Sequence, residues 1–163
     1  MKKTVLLEKH ISLGAKIVDF AGFRMPLSYS SVTDEHNYVR ENVGVFDVSH
    51  MGEFEISGKN STKFIQFICS NDIMKLKPGK AQYNCLVKDN GGIIDDLIVY
   101  KIDEEKYLLV VNASNIEKDL NWIKSHNENY NCSINNISDK ISLLAVQGPK
   151  AETLCESFTK EDL

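Results

Sequence analysis

Asn90-Gly91-Gly92-Ile93-Ile94-Asp95-Asp96-Leu97-Ile98-Val99-Tyr100 sets two adjacent carboxylates inside a segment that otherwise has the composition of a buried strand. Asn90-Gly91 is a hairpin signal, because both central residues of a type I′ turn take φ > 0. The strand leaving the turn alternates sides, so Asp95 and Asp96 point to opposite faces. Asp95 falls with Ile93, Leu97 and Val99, and Asp96 with Ile94, Ile98 and Tyr100. Both faces are apolar, so at least one carboxylate lies among hydrophobic side chains, where a charge is costly unless a partner offsets it. That suits a ligand-facing acid. It also suits an aspartate at the strand mouth, partly solvated and bonded to the turn backbone; alternation alone leaves both open.

Working outward, residues 81–87, 93–101 and 106–112 read as a β meander, joined by Asn90-Gly91 and by Asp103-Glu104-Glu105. Lys77-Pro78-Gly79-Lys80 is the turn that precedes it. Ser61 or Thr62 starts a helix whose inner face is Phe64, Ile65, Phe67 and Ile68. A second helix runs from Asn115 to Ser125, with Ile116, Leu120 and Ile123 on one stripe and Trp122 close to it. Toward the N-terminus, Leu6 to Leu13 is amphipathic and stops at Gly14, and Lys16–Phe20 reads as a strand closed by Ala21-Gly22. Ser30 or Ser31 caps a helix reaching about Asn42, with Asp34 and Glu35 in the turn where their charge suits the helix dipole. Its spaced face is Val32, His36, Val39 and Val43, and Gly44 ends it. Val45–Val48 and Phe54–Ile56 are strand-like around the polar kink Ser49-His50-Met51-Gly52. Residues 131–136 and 141–146 add two strands before Gly148-Pro149 and a last helix over 149–158. Helices and mostly antiparallel strands interleave without regular βαβ spacing, so the expected class is α+β. The chain stops just after that last helix, which reads as a truncation.

Composition narrows the function. The 163 residues are 42% hydrophobic and 26% charged, enough for a real core in an ordinary globular chain. The net charge is −4 and no basic run exceeds Lys2-Lys3, which argues against nucleic acid and a polybasic membrane patch. No apolar run approaches the roughly 20 residues needed to cross a bilayer, and the N-terminus lacks the pattern of a signal peptide. Cys69, Cys85, Cys132 and Cys155 form no C-x-x-C pair and match no zinc spacing, so they read as buried thiols of a reducing cytoplasm. His10, His36, His50 and His126 are equally scattered, so no metal is expected.

A set of strings then falls in one order. They are Val18-Asp19-Phe20-Ala21-Gly22, Met25-Pro26, Tyr29-Ser30-Ser31, Gly44-Val45-Phe46-Asp47-Val48-Ser49-His50-Met51-Gly52, Asn71-Asp72 and Gly79-Lys80-Ala81-Gln82-Tyr83. They continue through Gly91–Tyr100, Val110-Val111-Asn112-Ala113-Ser114-Asn115, Lys118-Asp119 and Gln147-Gly148-Pro149. Together they resemble the aminomethyltransferase family, the T-proteins of the glycine cleavage system, over almost the whole chain. The resemblance implies a transferase that moves a one-carbon unit from the aminomethyl-lipoyl arm of an H-protein to tetrahydrofolate, releasing ammonia. Tetrahydrofolate is the implied co-substrate, the H-protein the implied protein partner, and no metal is implied.

Carried onto this sequence, the resemblance makes the second aspartate, Asp96, the catalytic carboxylate: a fixed negative charge beside the folate nitrogens that orients the pterin and supports proton movement. Asp95 is then mainly a stabilising residue. The folate nitrogen is itself the nucleophile, so no protein Ser or Cys needs activation. The same resemblance implies that Met51, Tyr83, Tyr100 and Asn112 line the folate cavity. Each has an ordinary role available: strand residues for the tyrosines, core for Met51, a helix cap for Asn112. His50 is expected to be structural. Phe23 stands where the family usually has Trp, which keeps an aromatic. The family's usual length is more than twice this one, so residues 1–163 read as an incomplete N-terminal folate-binding domain, the remaining domains absent. The competing expectations are a non-catalytic binding or remnant module of the same fold, or a folate-dependent dimethylglycine or sarcosine demethylase module.

Overall fold

The computed structural model describes residues 1–160. In chain order it comprises β1 (Lys2–Lys3), α1 (Leu7–Ser12), β2 (Lys16–Phe20), β3 (Phe23–Ser28), α2 (Val32–Glu41), β4 (Gly44–Asp47) and β5 (Gly52–Ser57). There follow α3 (Ser61–Ile68), β6 (Ala81–Val87), β7 (Ile93–Asp103), β8 (Lys106–Val111), α4 (Ile116–Ser125), β9 (Ser133–Asn136), β10 (Leu144–Gln147) and α5 (Ala151–Glu156). The class is α+β, as expected, with every strand pair antiparallel except the short β1–β3 contact. Two compact units divide the chain: Met1–His50 with the segment from Ser142 onward, and Met51–Ile141.

In the first unit, β2 and β3 form a hairpin through Ala21 and Gly22, whose φ values are 51° and 79°. Sequence patterning passes over β3 because Pro26 interrupts it, and proline cannot donate to a ladder. The sheet accommodates it at a register shift beside the Ile17–Pro26 pair. Helix α2 begins where Ser31 accepts from the Asp34 N–H at 3.3 Å, as the capping pattern predicts. Glu35 reaches back to accept from the backbone N–H groups of Tyr29 and Ser30 at 2.7 and 2.6 Å. These bonds hold its carboxyl below the usual range. None of α2 is fully buried, and Val32 of its spaced face is exposed. Strands β4 and β10, far apart in sequence, pair antiparallel from Leu144–Asp47 to Gln147–Gly44. His10 links this unit internally: Nδ1 lies 2.6 Å from the Tyr29 hydroxyl and Nε2 3.0 Å from Asp47 Oδ2. His50 is buried with its ring edge-on to Phe20, and Phe23 packs on it too, so the aromatic at position 23 has a packing role.

The second unit is a five-stranded antiparallel sheet in the order β6-β7-β8-β5-β9. Alternation sends Leu86, Leu97, Val99, Tyr107, Leu109, Val111, Phe54 and Ile56 to one face. Phe64, Ile65 and Ile68 of α3 and Ile123 of α4 join them in a single hydrophobic core. Phe67, expected on the inner side of α3, is instead 55% exposed and stacks on Tyr130 at 5.7 Å; with three apolar neighbours already covering about a third of the helix, position 67 falls at the margin. The hairpin before β7 also differs from expectation. Among its residues only Gly91 has positive φ (82°). The Gly91 N–H donates to Lys88 O and the Lys88 N–H to Gly92 O, each at 2.8 Å, the arrangement of a type I turn followed by a G1 bulge rather than a two-residue type I′ turn. A second bulge pairs Val87 with Ile93 but Leu86 with Asp95, which releases Ile93 from the core face and leaves it 66% exposed.

Gly52 sits where β5 meets helix α4. A Cβ there would lie 2.6 Å from Ile116 Cγ1 and 2.8 Å from Val111 Cγ2, so the helix packs against bare backbone. Gly52→Ala should destabilise the second unit by about 1–3 kcal/mol, measured as a lower urea midpoint at unchanged slope. Glu53 follows, fully buried on the opposite side of β5, and its carboxylate oxygens have no hydrogen-bond partner among the described residues. Burial pushes its carboxyl up to about 7. The native state therefore keeps a proton that the unfolded chain releases near its ordinary value of 4.5, so this group's contribution to stability falls as pH rises from 4.5 to about 7 and is level above. Glu53→Gln should flatten that decline in urea midpoints taken across this range; an unchanged slope would contradict a buried, neutral Glu53.

Candidate functional site

Strand β7 lies between β6 and β8, and that register decides what its two aspartates meet. Asp95 faces the core with Leu97 and Val99 and is 7% exposed. Asp96 takes the other face, half-buried, in line with Ile98 and Tyr100. On that face Cys85 pairs with Asp96 and Tyr83 with Ile98. Leu97 and Gly52 both pair with Val111 where these ladders end, and the adjoining residues are Asp96 before Leu97, Asn112 after Val111 and Met51 before Gly52. Tyr83, Asp96, Tyr100, Asn112 and Met51 thus gather on one sheet within the second unit, although 61 positions separate the first from the last in sequence.

Two of the four companions touch Asp96 directly. The Tyr83 hydroxyl donates to Asp96 Oδ2 at 2.8 Å. That bond, followed by desolvation and the negative charge of Asp96, raises the phenol above its ordinary value. Asn112 Nδ2 donates to Asp96 Oδ1 at 3.0 Å and approaches the Asp96 carbonyl at 3.2 Å. Asn112 precedes a 3-10 turn over Ala113–Asn115 but makes no side-chain cap bond there; its amide serves the aspartates instead. Met51 and Tyr100 are half-buried nearby on the same sheet. Tyr83 is 62% and Ile98 37% exposed, so an aromatic and an aliphatic surface lie open beside a carboxylate with its orientation fixed by two donors.

The division into a site acid and a stabilising acid is less clean than alternation suggests. Asn112 Nδ2 also donates to Asp95 Oδ1 at 3.0 Å, so one amide nitrogen bridges the two carboxylates from opposite faces of the strand. Behind Asp95, helix α4 presents Asp119, fully buried among the core side chains. Burial, then the hydrogen bond and charge of Asp95, push the Asp119 carboxyl up to about 7, with Lys118 pulling the other way. Burial works against the Asp95 anion, yet bonds from Asp119, Asn112 and Asn115 outweigh it and hold its carboxyl below the usual range. Lys118 is anchored to the Ile94 carbonyl at 2.8 Å. Asp119 lies outside the set of site residues that the sequence suggests. The signal was a carboxylate at position 119 within the apolar stripe of Ile116, Leu120 and Ile123, where helical spacing turns it inward.

An open groove of about 1000 Å³ lies elsewhere, in the first unit, lined by His10, Tyr29, Val39, Phe46, Asp47 and Gln147 among others. None of the five candidate residues belongs to it. The four cysteines are separate thiols; Cys69 and Cys132 are buried, whereas Cys85 and Cys155 are partly exposed rather than buried as expected, Cys85 because alternation puts it on the open sheet face. No helix among the described residues is long and apolar enough to cross a membrane.

Known proteins resemble this chain in sequence and in fold. The chain is 58% identical over all of its 163 residues to an aminomethyltransferase of Flavobacterium psychrophilum and 53% identical to one of Thermosipho melanesiensis, covering 45% of each. It therefore spans less than half the length of these curated relatives. The crystal structure of glycine cleavage system aminomethyltransferase T from Bartonella henselae superposes with a TM-score of 0.89 at 34% identity, over 96% of this chain and 43% of that one. A heterotetrameric sarcosine oxidase from Corynebacterium sp. U-96 gives a TM-score of 0.53 at 13% identity, over 74% and 57% of the two chains, a likeness of fold alone. Residues 6–163 match the family described as GCVT N-terminal domain, and with the fold and whole-chain identities in agreement, the chain belongs to that family.

Proposed function

We propose that this chain is the N-terminal, folate-binding portion of an aminomethyltransferase of the glycine cleavage system. The whole enzyme transfers a one-carbon unit from an aminomethylated lipoyl arm on an H-protein to tetrahydrofolate, with release of ammonia. The observation that carries the reading is the Asp96 carboxylate, held by Tyr83 and Asn112 on an open sheet face beside exposed apolar surface. That combination suits a flat, nitrogen-rich ring: apolar side chains for its faces, an acceptor for its N–H groups. Family membership and the naming of the relatives as aminomethyltransferases support the same assignment.

In this reading Asp96 accepts from the reduced pterin and stabilises positive charge that develops as the bond to ammonia breaks. Tyr83 and Asn112 hold the carboxylate in one rotamer, so little reorganisation accompanies the transfer. Met51 offers an adaptable surface to the ring and Tyr100 a second aromatic wall. The folate supplies the nucleophilic nitrogen, so the transfer calls for no metal. In this reading the further length that the relatives possess has the task of enclosing the site and excluding water. We assign the reaction to the cytoplasm, where thiols such as Cys85 and Cys155 stay reduced.

Asp96→Asn in a full-length protein carrying this chain should lower folate-dependent ammonia release about 100-fold or more. Retention within a few-fold would overturn the assignment. Calorimetric titration with tetrahydrofolate should show binding by the full-length protein and weaker binding by residues 1–163. Asp96→Asn should also let the Tyr83 phenol ionise at lower pH, because its largest upward influence is lost; a tyrosinate absorbance titration, with Tyr83→Phe to identify the band, checks this.

A further inference from the structure

The proposed mechanism leaves one buried titratable group on α4 unused. Asp119 is 0% exposed, and both of its oxygens, together with Asp95 Oδ2, have no protein donor among the described residues if both carboxylates are anions. Two anions facing each other inside a core are untenable without a proton or cation between them. Among the described residues the cation at hand is Lys118, 4.0 Å from Asp119 Oδ1 and half exposed, with its ammonium committed to the Ile94 carbonyl at 2.8 Å. A proton is what remains. Burial assigns it to Asp119, while the bonds from Asn112 and Asn115 keep Asp95 the anion.

We propose that Asp119 is a positioning residue of the Asp96 site: its carboxylic acid donates to Asp95, and Asp95 in turn fixes the Asn112 amide that holds Asp96. The relay runs from helix to open sheet face as Asp119, Asp95, Asn112, Asp96 and Tyr83, using the two hydrogens of one amide nitrogen as its central link. It explains why an amide, rather than a hydroxyl, stands at 112: only a two-hydrogen donor serves both aspartates at once. It also explains why the pair is Asp-Asp, since the inward acid orients the clamp on the outward one. Asp119 does not touch substrate; it acts through Asp95 and Asn112.

The inference rests on the functional role proposed for Asp96, and its test separates the two. Asp119→Asn keeps a neutral donor of nearly the same shape, whereas Asp119→Leu removes the donor. In the full-length protein, the Asn variant should keep kcat for folate-dependent ammonia release within about threefold, and the Leu variant should lose about tenfold or more in kcat with little change in the folate KM. The groups facing Asp119 are Asp95 and Asp96 from β7 and Lys118 from α4. Ionisation of Asp119 would set it against the Asp95 anion, so wild-type activity should fall as pH rises through about 7, and that limb should vanish in the Asn variant. Carbon-13 NMR of the aspartate carboxyls gives a readout independent of activity: Asp119 protonated below about 7, and an altered Asp96 resonance in Asp119→Leu. Equal kcat for the Asn and Leu variants, an Asp119 that titrates like an exposed aspartate, or an Asp96 resonance indifferent to position 119 would each overturn the relay. If Asp119→Leu does not fold, the pH limb of Asp119→Asn and the wild-type titration decide. If the wild-type protein releases no folate-dependent ammonia, the functional reading falls while the NMR arm still tests the coupling.

Discussion

Antiparallel register holds the second unit together, and everything at the candidate site depends on it. Strand β7 is bonded on both sides, to β6 and to β8, and its side chains alternate with a period of two. Leu97 and Val99 are drawn into the core by burial of apolar surface, each worth about 2 kcal/mol relative to exposure. Their parity determines that Asp95 goes inward and Asp96 outward. A slip of one residue would exchange the two acids and expose both hydrophobic side chains, so the core itself guards the geometry of the site.

The cost of that arrangement is an inward carboxylate, and the structure meets it locally rather than by an ion pair. Asp95 is surrounded by donors from three directions: Asn112 at the end of β8, Asn115 in the following 3-10 turn, and Asp119 on α4. All three lie in the run from Asn112 to Asp119, which leads from the end of β8 into the start of α4. That connection is positioned in part by Gly52, where the missing side chain lets Ile116 approach the sheet. Stability, helix docking and the orientation of Asn112 are therefore coupled through a few residues, and the open face inherits its order from the buried one.

The first unit shows a different economy. Its helix α2 has no fully buried residue, and Val32, Tyr38, Val45 and Phe46 remain exposed around an open groove. Its internal order comes largely from polar contacts: the Tyr29–His10–Asp47 line, the Glu35 bonds to backbone, and the Ser31 cap. Asp47 is buried within this network, and burial, which works against its anion, is outweighed by hydrogen bonds that include those from Ser49 and His10.

Local chemistry made much of this readable in advance. The meander, the helices over residues 61–68 and 116–125, the Ser31 cap and the Gly14 stop all follow from periodicity and capping, which act over a few residues. The family resemblance pointed to Asp96, Met51, Tyr83, Tyr100 and Asn112, since motif order survives in one dimension, and the strand register brings these residues to one sheet. Strand β3 escaped because its proline hides a strand whose partners are set by the fold, and the turn before β7 escaped because a bulge satisfies the same Asn-Gly pair in another way. What the linear chain could not contain was proximity: that one amide at 112 meets two carboxylates, and that a third acid, Asp119, faces them from a helix. Those contacts join residues 16 to 24 positions apart through packing, and a proton shared between buried acids exists only once water has been removed from around them.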